Sequence, residues 1–357
     1  MNDQIPEPTS PTTPAMTSFA GDDTILPFRL ERSNMRGRVA RIDRALDQIL
    51  DQHRYPGPVS SLVADAVMLT ALIGQTMQPG WKFSVQIRGK GAVRLIATDY
   101  YSPEEEGQAA RIRAYAAFDP DLDRAAVASP PLEPFQLLGT GVFAVTIDQG
   151  QDMRPYQGMT PLAGDSLAAC AETYFAQSEQ IATRFHIQTA LAEMPGSAAH
   201  WRAGGIMLQQ MPDEGGHMPD SPGDQGASRE DGLMTADDVA AMGSREEDWG
   251  RVNLLMQTAE TYELVGPHLA IEDLLFRLFH EEIPRVYPAQ SVEFGCTCSA
   301  ERVEAAMAMY SAKDIRHMTT TDGQVTADCQ FCSAHYEFDP QTLGFEATRN
   351  PDGSPRE

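Results

Sequence analysis

The chain has 357 residues, with 27 Lys and Arg against 51 Asp and Glu, a formal charge of −24 and 42% hydrophobic residues. That apolar fraction is enough for a packed core and excludes wholesale disorder, while the length suits two domains with linkers. The acidic balance excludes nucleic-acid binding, which rests on Lys and Arg neutralising phosphates, and it disfavours docking on anionic membranes.

Residues 1–21 have neither a basic nor an apolar leader block. Pro6, Pro8, Pro11 and Pro14 interrupt them, so they read as a frayed tail on a cytoplasmic protein. No apolar run approaches the roughly 18–20 residues of a membrane helix. The longest, 64–73, is short and includes Asp65 and Thr70.

In chain order, Val39, Ile42, Ala45, Ile49 and Leu50 fall at helical spacing and predict a helix over 35–50. Leu62, Ala66, Leu69 and Ile73 predict a second over 60–77. Near-alternation in 81–100 around Gly89-Lys90-Gly91 predicts a β-hairpin, and 139–147 another strand. Residues 167–185 read as helix, and 204–208 as a short buried strand. Together these predict an α+β domain over 22–211.

At 212 the composition shifts. Between Asp213 and Asp248 stand 11 acidic residues and two basic ones, punctuated by Gly and Pro, so 212–248 reads as a disordered acidic insertion. Residues 249–290 follow as a helical linker. Within it Ile271, Leu274, Leu275, Leu278 and Phe279 form one apolar face before Pro284 and Pro288 end the helix. Residues 291–344 form a small cysteine module and 345–357 a tail.

The module carries Cys296-Thr297-Cys298 and Cys329-Gln330-Phe331-Cys332, with 30 residues between the pairs. Paired cysteines without a secretion signal read as a metal or redox site. Four thiolates at Cys296, Cys298, Cys329 and Cys332 suit one tetrahedral Zn²⁺ and leave no open position for catalysis. Some 50–60 residues bury little surface, so the ion must supply much of the module's folding free energy. Oxidising the thiolates would remove that support and uncover Leu274, Leu275, Leu278 and Phe279 if their packing depends on the module. This logic describes a chaperone switched by redox state rather than an enzyme. An inert structural zinc module, or a thiol-disulfide oxidoreductase using Cys329 and Cys332, are the competing readings.

Other candidates are weaker. Cys170, in an Ala-rich helical pattern, reads as a buried small hydrophobe, and the 17 methionines as ordinary core and loop usage. His335 could stand near the metal without ligating it, while Asp328 and Glu293 read as surface charges. His280-Glu281-Glu282 is not a protease zinc motif, and no phosphate-binding or nucleophile-elbow motif occurs.

Several ordered strings give the chain a specific likeness. They are Ser33 to Gly37, Pro155 to Met159, Tyr174 to Gln180, Ala203 to Ile206, Leu275 to Glu282, Cys296 to Ser299, and Cys329 to Cys332 with Tyr336 after it. The chain resembles the heat shock protein 33 family of redox-regulated bacterial holdase chaperones. The resemblance implies zinc held by the four cysteines in the reduced, inactive form. It also implies oxidation to disulfides Cys296–Cys298 and Cys329–Cys332 with zinc release, and a linker (249–290) that unfolds on activation. The oxidised form would be a homodimer that binds unfolding client proteins without ATP. The N-terminal extension and the acidic insertion depart from that pattern.

Overall fold

The computed structural model describes residues 22–122, 133–150, 153–193, 199–211 and 236–347. The predicted N-terminal tail, residues 348–357 of the C-terminal one and most of the acidic insertion lie outside the described residues.

An eleven-stranded sheet forms the large domain, matching the α+β expectation. Its strands are β1 (Thr24–Leu30), β2 (Met35–Ile42), β3 (Lys82–Gly89), β4 (Val93–Tyr101), β5 (Ala110–Phe118), β6 (Gly141–Asp148), β7 (Tyr156–Pro161), β8 (Thr183–Ala192), β9 (His200–Gln210), β10 (Pro284–Val286) and β11 (Gln290–Phe294). The order is β7-β6-β3-β4-β5-β11-β1-β2-β9-β8, with β10 also paired to β1. Helices α1 (Arg44–Asp51), α2 (Gly57–Gly74) and α3 (Leu167–Tyr174) cover one face. Period-two alternation splits the side chains of β1. Ile25 enters the core beneath these helices, while Leu26, Phe28 and Leu30 point into a second core on the opposite face.

Helix α2 is apolar nearly all round because it is buried nearly all round. At 18 residues it exceeds the 64–73 run and is long and apolar enough to cross a membrane. Yet 78% of it is buried inside the protein, where it is the central core helix.

Three expectations need correction. The helix predicted over 35–50 is instead strand β2 followed by α1. Met35 and Val39 face one core and Ala40 and Ile42 the other, and the chain breaks at Asp43. The break is stabilised from a distance: the Asp23 carboxylate accepts hydrogen bonds from the backbone N–H groups of Asp43 and Ala45 at 2.9 and 3.0 Å. The helix predicted over 167–185 ends at Tyr174, passes through a wide turn (Phe175–Glu179) and a left-handed Gln180, and becomes β8 from Thr183. Disorder predicted through 248 stops short, because α4 (Ala236–Gln257) begins inside that segment.

The linker helices α4, α5 (Thr261–Val265) and α6 (Ile271–Phe279) build the second core against β1, β2 and β9. Phe279 stacks on Phe28 with ring centroids 5.9 Å apart. The end of α5 lies directly on the sheet: a Cβ at Gly204 would fall 2.2 Å from the Leu264 carbonyl oxygen. Arg41 donates to the carbonyls of Leu264 and Glu263 (2.8 and 2.6 Å), and Arg202 to that of Val265 (2.9 Å), satisfying the orphan acceptors of this helix end. The small C-terminal module contains α7 (Ala300–Met307), α8 (Ala312–Met318) and a hairpin of β12 (Val325–Asp328) and β13 (His335–Phe338).

Candidate metal and redox centre

Each cysteine pair is placed by a simple local device. Strand β11 delivers Cys296 at its end, and Ser299 caps α7 by accepting the Arg302 N–H, fixing the chain just after Cys298. Cys329 and Cys332 occupy the loop between β12 and β13. The Cys329 N–H donates to the Ala334 carbonyl at 2.9 Å, the Ser333 N–H to the Cys329 carbonyl at 2.8 Å, and Ser333 takes a left-handed φ of 54°.

The four sulfurs lie within 4.8 Å of one another, and none is in a disulfide. Cys296 Sγ is 3.7 Å from Cys329 Sγ, and Cys298 Sγ is 3.3 Å from Cys332 Sγ. A tetrahedral ion with metal–sulfur bonds of about 2.3 Å needs sulfurs about 3.8 Å apart, so the donor set and spacing fit one metal ion. The module's own core is small, with only Ile315, Val325, Phe338 and Leu343 as its buried hydrophobic side chains. Such a core leaves a large share of stability to metal binding.

The cluster is fastened to the large domain. Arg113 on β5 donates to Cys296 Sγ at 3.4 Å and to Thr297 Oγ1 at 3.3 Å, and its guanidinium stacks 4.0 Å from the Phe331 ring centroid. Asp99 holds Arg113 at 2.6 and 2.8 Å and is itself held by Lys82 at 3.1 Å and Ser84 at 2.6 Å. Burial works against the Asp99 charge, but Lys82, Ser84 and Arg113 keep its carboxyl below the usual range. The Tyr101 hydroxyl meets Thr297 Oγ1 at 3.1 Å, and Ser333 donates to the Gln52 carbonyl at 3.2 Å. Tyr336 donates to Cys298 Sγ at 3.1 Å.

The environments of the four thiols differ. Burial raises Cys296, but backbone donation at Cys298 and the Arg113 guanidinium outweigh it and bring the thiol down to about 7. Burial pushes Cys329 and Cys332 up. A dithiol oxidoreductase needs a depressed thiol in its Cys-x-x-Cys, usually at a helix N-terminus. Here that pair sits in the hairpin loop between β12 and β13 rather than at a helix start, which speaks against that reading.

The other sequence candidates fall elsewhere. Cys170 is buried in the main core, with its thiol donating to the Ala163 carbonyl. His335 pairs with Asp328 at 2.6 Å on the surface and is not in the sulfur cluster. Leu274, Leu275, Leu278 and Phe279 are all buried in the linker core. Sequence reasoning passed over Arg113, Asp99 and Tyr101, and named Phe331 only as part of the Cys-x-x-Cys string. The available signal was the alternation of 110–118, which sets Arg111, Arg113 and Tyr115 on one face against Ala110, Ile112, Ala114 and Ala116 on the other.

The family profile described as Hsp33 protein matches residues 23–339. The chain belongs to the Hsp33 family. It is 36% identical over 321 residues to a 33 kDa chaperonin of Caulobacter vibrioides, covering 89% of this chain and 95% of that protein. It is 30% identical to a 33 kDa chaperonin of Escherichia coli, covering 90% and 94%. The crystal structure of a 33 kDa chaperonin from Thermotoga maritima shares the fold, with TM-score 0.67 and 17% identity over 89% of this chain and 96% of that one. As an Hsp33 the chain is a redox-regulated chaperone, a non-enzymatic class, and its cysteine cluster fits the redox switch.

Proposed function

We propose that this Hsp33 is a zinc-loaded holdase of the cytoplasm, inactive when reduced and activated by disulfide formation. The observation that carries the reading is the geometry of four free sulfurs within 4.8 Å, in a module whose own core is too small to sustain it. Cys296, Cys298, Cys329 and Cys332 would hold the ion. Bound zinc would supply folding free energy, roughly 10–16 kcal/mol in comparable small modules.

Oxidation pairs Cys296 with Cys298 and Cys329 with Cys332. Each pair of thiolates gives up two electrons to a peroxide, which takes two protons from solvent and leaves as two waters. The sulfurs then no longer donate to a metal, and the module loses its support. The linker follows, because 284–294 joins it to the module along the edge of β1. Releasing the linker uncovers Leu274, Leu275, Leu278 and Phe279 together with the sheet face of Phe28, Met35 and Ile206 beneath them. An apolar surface of this kind binds unfolding client chains without nucleotide, and two such surfaces favour a homodimer of the oxidised form.

Light scattering of a thermally unfolding client, with zinc release followed in parallel, tests the reading. Suppression by the peroxide-treated protein alone, in step with zinc release, is expected. Equal behaviour of reduced and oxidised protein with zinc retained would overturn it.

A further inference from the structure

Strand β11 is the only described strand that joins the two halves of the sheet. On one side it pairs antiparallel with β1 (Thr24 opposite Ser291, Ile25 opposite Gln290). On the other it pairs parallel with β5 (Val292 opposite Ala110, Glu293 opposite Arg111, Phe294 opposite Ile112). Its ladder is short, with two register pairs on β1 and three on β5. Beyond the ladder the Val292 N–H donates to the Asp23 carbonyl at 2.8 Å and the Gly295 N–H to the Ile112 carbonyl at 3.1 Å, and Val292 is its one buried side chain. Cys296 follows immediately, fastened by Arg113.

Taking the redox-switched chaperone as given, we infer that the slot between β1 and β5 receives an extended segment of the unfolding client in place of β11. The present occupant shows what the slot accepts: a strand bonded through its backbone on both sides, with one small β-branched side chain directed into the core. Backbone hydrogen bonds do not depend on sequence, which suits clients of unrelated sequence, and an unfolding chain offers extended apolar segments of this kind. Two open strand edges facing each other bind a strand more firmly than one edge can. Access is tied to the cysteines because the strand that fills the slot is continuous with Cys296. Oxidation that detaches Cys296 from Arg113 removes the anchor at the strand's end and frees both edges at once.

The probe is a fluorescein-labelled peptide with the sequence of residues 288–295, titrated into full-length protein. Binding to the peroxide-treated form at least tenfold tighter than to the reduced form is expected, with displacement by an unfolding client. Backbone amides of 290–295 are expected to exchange faster on oxidation, and those of β5 to regain protection when the peptide is added. Val292→Asn, which weakens the seated strand, is expected to let the reduced protein bind the peptide. If the oxidised protein suppresses aggregation while 290–295 stays protected and the peptide remains unbound, the slot assignment is wrong and the chaperone reading stands. If the peptide binds and splits dimers but clients do not compete, the occupant is the β11 of a second copy, and the client assignment is overturned. An oxidised protein that fails to suppress aggregation removes the chaperone reading, and this inference with it.

Discussion

The guanidinium of Arg113 lies 4.0 Å from the ring centroid of Phe331, and the same side chain donates to Cys296 Sγ at 3.4 Å. One residue of the sheet therefore touches both cysteine pairs, one through sulfur and the other through the ring between its two cysteines. Asp99 fixes the guanidinium orientation through two contacts, so the cluster meets a preset surface. A partly desolvated cation–π contact and a charge-assisted hydrogen bond are together worth about 1–3 kcal/mol. Arg113→Ala is expected to speed metal transfer from the reduced protein to a chelator by about 5–150-fold, read with a chromogenic zinc indicator. Arg113→Lys keeps the charge but loses the planar stack and should fall between. Unchanged transfer in both variants would mean that the module holds its metal without help from the sheet.

Phe279 ends α6 fully buried against Phe28, and Leu274, Leu275 and Leu278 line the same core. Truncating a buried Phe costs about 3–5 kcal/mol. The main core beneath α2 is built from other residues and should not share the loss. Phe279→Ala is expected to speed amide exchange over 249–290 in the reduced protein while leaving β3 and β4 protected. It should also confer some suppression of client aggregation without oxidant. Uniform loss of protection across the whole chain would show that linker and sheet unfold as one unit.

A second route to the same release needs no lost apolar contact. Gly204 leaves room for the Leu264 carbonyl, and a methyl there would sit 2.2 Å from that oxygen. The neighbour is backbone, held by Arg41, and has little freedom to move away. Gly204→Ala is expected to lift α5 from the sheet and to mimic Phe279→Ala in exchange over 249–290. A variant with wild-type exchange would show that the end of α5 shifts to accommodate the methyl.

The features legible in the sequence are those written locally. Cysteine spacing pointed to four sulfurs that do converge, and the apolar stripe of α6 to a face that is buried. The hairpin over 81–100 emerged because alternation and a Gly pair lie within one stretch. What escaped depends on distant partners. Val39 and Ile42 fit a helical period with Ala45 and Ile49 by coincidence, and the break between strand and helix is stabilised by Asp23, about twenty residues away. The docking role of Arg113 needs Cys296, 183 residues later, and β11 lies between strands that begin near residues 24 and 110. No local window contains both partners of such a contact.

Asp65 lies on the core helix α2, and burial raises its carboxyl to about 7, only partly offset by a hydrogen bond with Thr189. A folded-state pKa above the unfolded value of 3.8 means that the folded protein binds more protons between about pH 4 and 7. Stability therefore falls as pH rises through that window and levels off above it. Asp65→Asn removes the ionisable group and is expected to raise the melting temperature at pH 8, with the gain shrinking toward zero as pH approaches 4. Thermal melts at four or five pH values check this, and a gain that does not vary with pH would place the effect in packing instead.

Cys329 contributes one sulfur to the cluster, 3.7 Å from that of Cys296, and its backbone anchors the hairpin loop. Replacing it with Ser exchanges a soft thiolate for a hard hydroxyl that is neutral at pH 7, so three thiolates remain for a tetrahedral ion. The module cannot compensate from its own packing, since its buried hydrophobic core is four side chains. Cys329→Ser is expected to hold zinc at least a hundredfold more weakly and to lose amide protection over 296–343 in the absence of any oxidant. The sheet domain should keep its melting transition, because its core draws on no residue of the module beyond the strand that enters it. Chelating the metal from the wild-type protein should produce the same loss of protection, and adding zinc back should reverse it only in the wild type. One tightly bound zinc per chain in the variant would contradict a four-thiolate site.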